Sequence, residues 1–179
     1  MRLITFLLLS ILLVTAGGCG YSTSSLLPPE LDSIHVNNFL NKIDPTEVVS
    51  NKRPVYSYRA GLETDVTRAV IDAFIFDRHL GINTEKKASM LLEGELTSFQ
   101  QFPLSYDKSD SVVEFRVEIL VNMKLYNNLT GDLMWTENSF MGWSSYNVSG
   151  PNAKTESEAV TAAVKDLAQR IVERTVEAW

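Results

Sequence analysis

The chain has 179 residues, of which 22 are acidic and 16 are basic, so its formal net charge is −6 at pH 7. This acidic balance argues against a nucleic-acid-binding protein, which would present a basic face to phosphates. Cys19 is the only cysteine, so disulfides within the chain are excluded and a hydrophobic core must stabilise the fold. The length suits one domain with a sizeable core.

Residues 1–18 have the composition of an export signal. Arg2 provides a positive charge, and the segment from Leu3 to Val14 is predominantly apolar. Small residues at positions 16–18 precede the expected cleavage site. This apolar run is too short for a transmembrane helix, which needs about 20 residues. We therefore expect residues 1–18 to be a lipoprotein signal peptide.

Cys19 stands where a bacterial lipobox places its acylated cysteine. We expect a diacylglycerol and an N-acyl chain on this thiol and no other cofactor; the alternative is a secreted protein with a free thiol. The lipobox usually has Leu three residues earlier, whereas this chain has Ala16. In lipoproteins of enteric bacteria, Asp directly after the acylated cysteine often signals retention in the inner membrane. This chain has Gly20 there, so by resemblance to those proteins we expect the outer membrane, with the protein facing the periplasm. Residues 19–32 are Ser- and Pro-rich and are interpreted as the lipidated N-terminus and its tether.

The next segment predicts a strand followed by a helix. The strand runs from Ser33 to Phe39, because apolar and polar residues alternate there. Residues 40–58 show no sustained periodicity and are interpreted as a long connection. A helix is predicted from Gly61 to His79, ended by Gly81. Its apolar stripe at three- and four-residue steps is Leu62, Val66, Ala69, Val70, Ala73, Phe76 and Leu80.

Three long strands are predicted after this helix. The first runs from Ile82 to Phe102, with a break near residues 86–88. In the next predicted strand, alternate residues from Val113 to Leu125 are apolar. This period of two indicates a strand rather than a helix. Gly131 in the following turn suits a hairpin, and the third strand runs from about Leu133 to Tyr146. Its alternation is less regular, which favours a β-bulge.

The last element is predicted to be a helix from Glu156 to Ala178. Thr155 and Glu158 form a capping box at its start. Its apolar stripe comprises Val160, Ala163, Val164, Leu167, Ile171 and Val172. Residues 33–179 are therefore expected to form a single domain with the order β-α-β-β-β-α. Because each helix and one sheet face are amphipathic, we predict an α+β two-layer sandwich, with both helices on one face of a four-stranded, mostly antiparallel sheet.

No combination of residues in the sequence supports catalysis, so we expect a protein that is not an enzyme. The two histidines are His35, in the first strand, and His79, at the end of the first helix. Both are interpreted as structural or neutral. No spacing of His, Asp and Glu resembles a zinc site, and no glycine-rich phosphate loop follows a strand. No catalytic residue and no metal site are therefore predicted.

Two groups of apolar side chains are candidates for contact with a partner. The last strand carries four aromatic residues, of which at least half are interpreted as core: Trp135, Phe140, Trp143 and Tyr146. The second group clusters around the tip of the long hairpin: Phe99, Phe102, Leu104 and Tyr106. Apolar side chains exposed at such a tip usually mark an interaction site.

Two lysines lie in loops near one predicted end of the sandwich. Lys108 is in the hairpin tip, and Lys154 is in the loop before the last helix. The sequence leaves two interpretations open. They are either solvated loop lysines or a pair of cations that bind an anionic phosphate.

Short motifs occur in a definite order along the chain: Gly18-Cys19-Gly20-Tyr21, Leu27-Pro28-Pro29, Gly61-Leu62-Glu63, Thr67-Arg68-Ala69, Pro103, Ser105-Tyr106-Asp107, Glu114-Phe115-Arg116-Val117, Trp135, Gly142, Tyr146, Ser157-Glu158, Asp166-Leu167-Ala168 and Ile171-Val172. Together they cover nearly all of the chain after the signal. Their order and spacing resemble the LPS-assembly lipoprotein (LptE) family. Residues 40–58 depart from the pattern as a longer insertion.

The resemblance implies two helices on a four-stranded sheet and a place as a plug inside a large outer-membrane β-barrel, the LptD-like protein of the lipopolysaccharide (LPS) translocon. There the protein would help the barrel to assemble and would bind LPS. Family members contact LPS phosphates through basic residues, at loop positions similar to Lys108 and Lys154. Cys19 would anchor the protein in the membrane, and no nucleic acid is involved. The alternative function is a lipoprotein subunit of a periplasmic phospholipid-transport complex.

Overall fold

The computed structural model describes residues 27–43 and 59–177. Within these ranges it has six strands and two helices: β1 (Ser33–Val36), β2 (Leu40–Asn41), α1 (Leu62–Asp77), β3 (Gly81–Ile82), β4 (Met90–Tyr106), β5 (Val112–Asn127), β6 (Leu133–Asn147) and α2 (Glu156–Glu177). The predicted signal peptide, most of the tether and most of the 40–58 connection lie outside the described residues.

The sheet is mixed, with the strand order β3-β1-β4-β5-β6 and with β2 also paired to β4. β1 runs parallel to both β3 and β4, and β2 runs parallel to β4. The antiparallel pairs are β4 with β5 and β5 with β6. The α+β class with two helices is confirmed. The prediction of four strands is wrong, because the described sheet has six strands. The long strands β4, β5 and β6 pair antiparallel, but the short strands add parallel pairs, so the sheet is mixed.

Short strands and the helical crossover account for this difference. The chain passes through α1 between β1 and β4, and a crossover of this kind joins parallel strands. β2 and β3 have two residues each. Two residues are too few for an alternating pattern to be recognised in a sequence.

The buried apolar residues of both helices form one core with one face of the sheet. The central strand β5 contributes every second residue, as its alternation predicts: Val117, Ile119, Val121, Met123 and Leu125. α2 packs mainly on β6 and β5 and lies beside α1. None of the described helices and strands covers the opposite face of the sheet, which we call the open face.

α2 approaches the sheet closely at a glycine. A Cβ on Gly142 would overlap the Cβ of Leu167 and lie 2.6 Å from its Cα. Next to this contact, the carboxylate of Asp166 accepts a hydrogen bond of 3.0 Å from the backbone N–H of Trp143. Close packing and a polar contact therefore hold the helix against the edge strand β6.

The apolar stripe of α1 differs from the predicted stripe near its end. Leu62, Val66, Val70 and Phe74 are fully buried, whereas Phe76 is 87% exposed. Residues four apart stay on one side of a helix, but position 76 is rotated by about 200° from position 74. The prediction of Phe76 as a residue of the core-facing stripe is wrong for this reason.

Gly81 does not end α1 as predicted. The helix stops at Asp77, and Arg78 adopts a left-handed φ of 66° while donating its backbone N–H to the carbonyl of Phe74 at 3.1 Å. Gly81 instead begins β3, beside β1. Arginine rarely adopts a left-handed conformation, which is why the sequence pointed to the nearby glycine.

Two predicted irregularities of the strands are confirmed. The break near residues 86–88 separates β3 from β4, and the amide of Ala88 donates there to the carbonyl of Thr84 at 2.9 Å. In β6, the pairing with β5 shifts register beside Ser139, which has a φ of 53°. The amide of Ser139 donates to Oδ1 of Asn122 at 2.9 Å, so the bulge is held by a side chain of β5.

Candidate functional site

Lys108 lies in the tight turn between β4 and β5. The amide of Asp107 donates to the carbonyl of Ser111 at 2.8 Å. The Asp107 carboxylate accepts hydrogen bonds from the amides of Ser109 at 2.7 Å and Ser111 at 3.0 Å. Asp110 completes the turn with a left-handed φ of 58°. These contacts hold the turn, while Lys108 is exposed to solvent.

Lys154 lies where the chain passes from β6 into α2. Its backbone N–H donates to the carbonyl of Asn147 at 2.9 Å, and the side chain is exposed. The predicted capping box follows directly and is confirmed. The amide of Thr155 donates to Oε2 of Glu158 at 2.7 Å, and the amide of Glu158 donates to Oγ1 of Thr155 at 3.2 Å.

The capping box lowers the pKa of Glu158. The largest cause is the hydrogen bond from the backbone of Thr155, followed by the one from its hydroxyl at 2.8 Å. Both bonds favour the ionised carboxylate. The positive charge of Lys154 acts in the same direction. The negative charge of Glu158 would therefore disfavour a phosphate bound at Lys154.

The structure brings the two lysine-bearing loops to the same end of the sheet. The amide of Val148 donates to the carbonyl of Val113 at 3.1 Å, so the loop that leads to Lys154 adjoins residues 104–113. We call this segment, which contains Lys108, the hairpin tip. Phosphate binding by the two lysines stays a prediction.

The two lysines do not form a basic patch. Four carboxylates lie near them in the sequence: Asp107 and Asp110 in the turn of Lys108, and Glu156 and Glu158 in the first turn of α2. A phosphate at this end of the sheet would meet separate ammonium groups, each acting as a point charge, and not a continuous cationic surface.

The hairpin tip exposes two of the four apolar side chains that were expected around it. Leu104 is 45% exposed and Tyr106 is 56% exposed. Phe99 is buried in the core, and Phe102 is half-buried. The expectation of one apolar cluster at the tip is therefore wrong for Phe99. An irregularity in the pairing at residues 96–98 changes which residues of β4 face the helices.

The four aromatic residues of β6 divide between the two faces of the sheet. Tyr146 is buried and stacks on Phe115, with ring centroids 5.8 Å apart. Trp135 and Phe140 pack against the core. Trp143 lies on the open face, because alternate residues of a strand point to opposite faces. The interpretation that at least half of these residues belong to the core is confirmed.

The open face brings together residues that the sequence analysis did not group with one another. Arg116 lies over Trp143 with its Cζ 4.2 Å from the ring centroid, a cation–π contact, and its Nη1 donates to Glu118 at 3.4 Å. Three half-buried apolar residues occupy nearby register positions on the same face: Phe102, Leu120 and Met141. We call Phe102, Arg116, Leu120, Met141 and Trp143 the aromatic cluster. The alternation of β5 places Arg116 on the polar face, but its register with Trp143 could not be read from the sequence.

The histidines make structural contacts. Nδ1 of His35 lies 2.9 Å from the carbonyl of Asn83, and Nδ1 of His79 lies 2.8 Å from the carboxylate of Asp77. Over the described ranges, no three His, Cys, Asp or Glu side chains are grouped as metal ligands would be. No helix in the described part of the chain is long and apolar enough to cross a membrane. Cys19 lies outside the described residues, so its lipidation stays a prediction.

Residues 34–175 match the model of the LptE family, which is described as lipopolysaccharide-assembly. The match extends from β1 to the last turns of α2. The chain therefore belongs to the LptE family, and the resemblance seen in its sequence motifs is confirmed. The comparison with curated proteins yields no match.

Solved structures resemble this chain at low sequence identity. Protein XCC0632 from Xanthomonas campestris is 14% identical with a TM-score of 0.51, and the match covers 83% of this chain and 86% of that one. Protein CT253 from Chlamydia trachomatis is 8% identical with a TM-score of 0.51, covering 80% and 95%. Rare lipoprotein B from Shewanella oneidensis is 13% identical with a TM-score of 0.46, covering 82% and 92%. At such identities, the first two show a shared fold and nothing about function.

Proposed function

We propose that this protein is an outer-membrane lipoprotein that plugs a β-barrel LPS translocon, helps the barrel to assemble and binds LPS during its delivery to the cell surface. The observation that carries the proposal is the family match over residues 34–175. In this proposal, the acylated Cys19 anchors the protein in the outer membrane, and residues 19–32 tether the domain on the periplasmic side.

Two surfaces of the domain suit contact with the barrel. The hairpin tip presents Leu104 and Tyr106 to solvent, and exposed apolar side chains are stabilised when a partner covers them. The aromatic cluster adds Trp143 with Arg116 stacked on it. Tryptophan and arginine are enriched among the residues that contribute most to protein–protein binding. We therefore assign barrel contact to the hairpin tip and the aromatic cluster.

The two loop lysines are proposed to contact LPS phosphates. Their side chains are exposed, and an ammonium group forms charge-assisted hydrogen bonds with phosphate oxygens. Because no continuous cationic surface joins the two lysines, we expect two separate ion pairs with phosphate. Such exposed pairs weaken as salt concentration rises.

A pull-down of tagged, full-length protein from detergent-solubilised outer membranes tests the partner. We expect a stoichiometric large β-barrel protein that remains bound through washing and is identified by mass spectrometry. Leu104→Asp combined with Tyr106→Asp should lower its recovery, because charged groups would be buried at the contact. Leu129→Asp is the matched control, since Leu129 is 64% exposed in the turn between β5 and β6. Recovery of no barrel, or of an inner-membrane transporter in its place, would contradict the proposal.

Direct binding of LPS tests the lysines separately. Lys108→Asp combined with Lys154→Asp should weaken binding of purified LPS to the full-length protein, because attraction is replaced by repulsion. Lys87→Asp is the control, since Lys87 is exposed in the turn before β4, at the opposite end of the sheet. LPS affinity that is equal in the double variant and the control would overturn the phosphate assignment and leave the barrel proposal standing.

A further inference from the structure

We infer a second binding site, a polar cleft on the open face whose side chains fit a neutral, hydroxyl-rich saccharide. The cleft has a volume of about 490 Å³ and lies between the loop after β1 and the strands β4, β5 and β6. Sites for small molecules usually have about 300–1,000 Å³. The cleft is therefore large enough for a ligand, and it lies apart from the lysine-bearing loops.

The polar cleft is lined by side chains that form hydrogen bonds with hydroxyl groups. Asn37 and Asn38 come from the loop after β1, whereas Asn122, Thr136 and Asn138 come from β5 and β6. An amide side chain both donates and accepts hydrogen bonds. One asparagine can therefore bind two neighbouring hydroxyls of a sugar ring, as a donor to one and an acceptor from the other.

Several of these side chains are not used by the fold. Within the described ranges, the side chains of Asn38, Thr136 and Asn138 make no hydrogen bond to protein, and all three are exposed. Asn122 differs, because its Oδ1 accepts the amide of Ser139 at 2.9 Å, which leaves its NH₂ group to donate. The polar cleft therefore has hydrogen-bond donors and acceptors that are available to a ligand. A polar ligand needs such groups in order to replace the hydrogen bonds that bound water makes with the protein.

The rim of the polar cleft is held in place before a ligand arrives. Phe39 is buried and its ring packs against Gly94, where a Cβ would overlap it. The amide of Phe39 donates to Oγ1 of Thr67 on α1 at 2.9 Å. These contacts fix the loop that carries Asn37 and Asn38. A preorganised rim loses less conformational entropy on binding.

The charges of the polar cleft select against phosphate. Glu93, Glu95 and Lys124 line it, and Glu93 lies opposite Lys124 on the neighbouring strand. Two carboxylates and one ammonium group leave a slight excess of negative charge, which repels an anion. Carboxylates accept hydrogen bonds from hydroxyls, and such charge-assisted bonds are stronger than neutral ones. A neutral saccharide satisfies both conditions.

An aromatic ring lies beside the polar groups. Tyr126 pairs with Leu91 on the open face, and both line a shallow depression that shares Glu93 with the polar cleft. The apolar face of a tyrosine ring can pack against the C–H groups of a sugar ring while its hydroxyl stays hydrated. Hydrogen-bonding side chains and an apolar platform are therefore both present at this position.

The same chemistry fits two sources of saccharide. One is the sugar portion of LPS, and this assignment rests on the proposed function. The other is the glycan of the peptidoglycan layer, which the proposed function does not require. The polar cleft itself is argued from its own residues, so its test is separate from the test of the barrel partner.

Titration of full-length protein in detergent with two neutral probes tests the inference. The probes are LPS core oligosaccharide, released by mild acid and freed of phosphate, and chitotetraose, an oligomer of N-acetylglucosamine. Calorimetry should show saturable binding of at least one probe, with a Kd of about 1 mM or tighter, as a few hydrogen bonds provide. Asn38→Ala combined with Asn138→Ala should weaken this binding about tenfold, as expected when roughly 1.4 kcal/mol is lost.

Controls separate the polar cleft from the rest of the molecule. Asn152→Ala removes an exposed asparagine in the loop before α2 and should leave the saccharide affinity unchanged. Lys108→Asp combined with Lys154→Asp should also leave it unchanged, because the probes carry no phosphate. Thermal unfolding of each variant should match that of the unaltered protein.

The outcomes distinguish both the site and the source of its ligand. Binding of the core oligosaccharide assigns the polar cleft to LPS sugars, and binding of chitotetraose assigns it to peptidoglycan glycan. Failure of both probes to saturate, or binding that survives the Asn38 and Asn138 substitutions, overturns the inference. A protein that binds no saccharide but still recovers a barrel overturns the inference and leaves the proposed function intact. A protein that binds a saccharide but recovers no barrel overturns the proposed function and leaves the polar cleft standing.

Discussion

Gly142 sets the distance between α2 and the edge strand β6. A Cβ at this position would overlap the side chain of Leu167 and lie 2.6 Å from its Cα, so any side chain forces the helix away from the strand. We expect Gly142→Ala to lower the free energy of unfolding by about 1–3 kcal/mol, the usual effect of overpacking. Urea unfolding followed by circular dichroism measures this change.

Gly81→Ala is the matched control for this measurement. A Cβ on Gly81 would meet only the carbonyl of Asp32, at 3.7 Å, which is an ordinary contact. We therefore expect little change in stability. An equal loss of stability in the two variants, or no loss in Gly142→Ala, would contradict this prediction. It would show that the packing of α2 does not require a residue without a side chain at position 142.

Glu158 makes the start of α2 sensitive to acid. Because hydrogen bonds from Thr155 lower its pKa in the folded state, its stabilising contribution is complete above its ordinary pKa of 4.5. This contribution is lost as the pH falls through the lower, folded-state value. We expect Glu158→Gln to remove this part of the pH dependence. The free energy of unfolding, measured at a series of pH values from neutral to acid, gives the result.

Thr155→Ser serves as the conservative control at the capping box. Serine keeps both the backbone amide and the hydroxyl that donate to the carboxylate, so the loss of stability in acid should remain. A Glu158→Gln profile that runs parallel to that of the unaltered protein would mean that the capping box contributes nothing to the pH dependence.

At the scale of elements, α1 shows how an apolar stripe can be assigned to the wrong residue. Ile75 and Phe76 are both apolar, so the sequence offers several stripes near the end of this helix. Packing on the sheet selects Phe74, which is fully buried in the core. The neighbouring Phe76 is left 87% exposed. The rotation of the helix is set by the sheet and not by the helix alone.

The pair Phe74 and Phe76 gives a direct test of this rotation. Phe74→Ala should lower the free energy of unfolding by about 3–5 kcal/mol, because it removes a buried aromatic ring. Phe76→Ala should change it by no more than about 0.5 kcal/mol, as for other exposed positions. Urea unfolding of both variants makes the comparison, and a larger effect at Phe76 would restore the stripe predicted from the sequence.

The strands differ in how well their sequence predicts them. β5 is predicted to within a few residues, because every second residue from Val113 to Leu125 is apolar and Leu120 is the one apolar residue at the positions between them. β2 and β3 are too short to show any period, and their pairing depends on residues far away in the chain. β6 is predicted in extent, but its bulge at Ser139 decides which side chains reach the open face.

At the scale of the whole molecule, the two faces of the domain differ in what they offer a partner. The outer surface of the helices and the open face both contact solvent, but only the open face carries the aromatic cluster. We expect Met141→Asp, within this cluster, to lower recovery of the barrel partner from outer membranes. The charge would be buried at the contact without a partner, whereas thermal unfolding of the domain alone should change little.

Gln169→Asp is the control on the opposite side of the molecule, because Gln169 is exposed on the outer surface of α2. This substitution adds the same charge and should leave barrel recovery unchanged. A loss of the barrel in Gln169→Asp but not in Met141→Asp would place the contact on the helices and would correct the assignment to the open face.

The sequence by itself determined the features that depend on neighbours along the chain: the alternation of β5, the stripe of α2, the capping box of Thr155 and Glu158, and the motif order of the LptE family. The tertiary structure alone decided which faces meet. It brings the loops of Lys108 and Lys154 to one end of the sheet and stacks Arg116 on Trp143. It also places the asparagines of the polar cleft close together. The physical reason is register. Periodicity in a sequence shows which side of one helix or strand is apolar. It does not show how a strand pairs with its neighbours, and a shift of one residue in the pairing, or one bulge, moves the following side chains of that strand to the opposite face of the sheet.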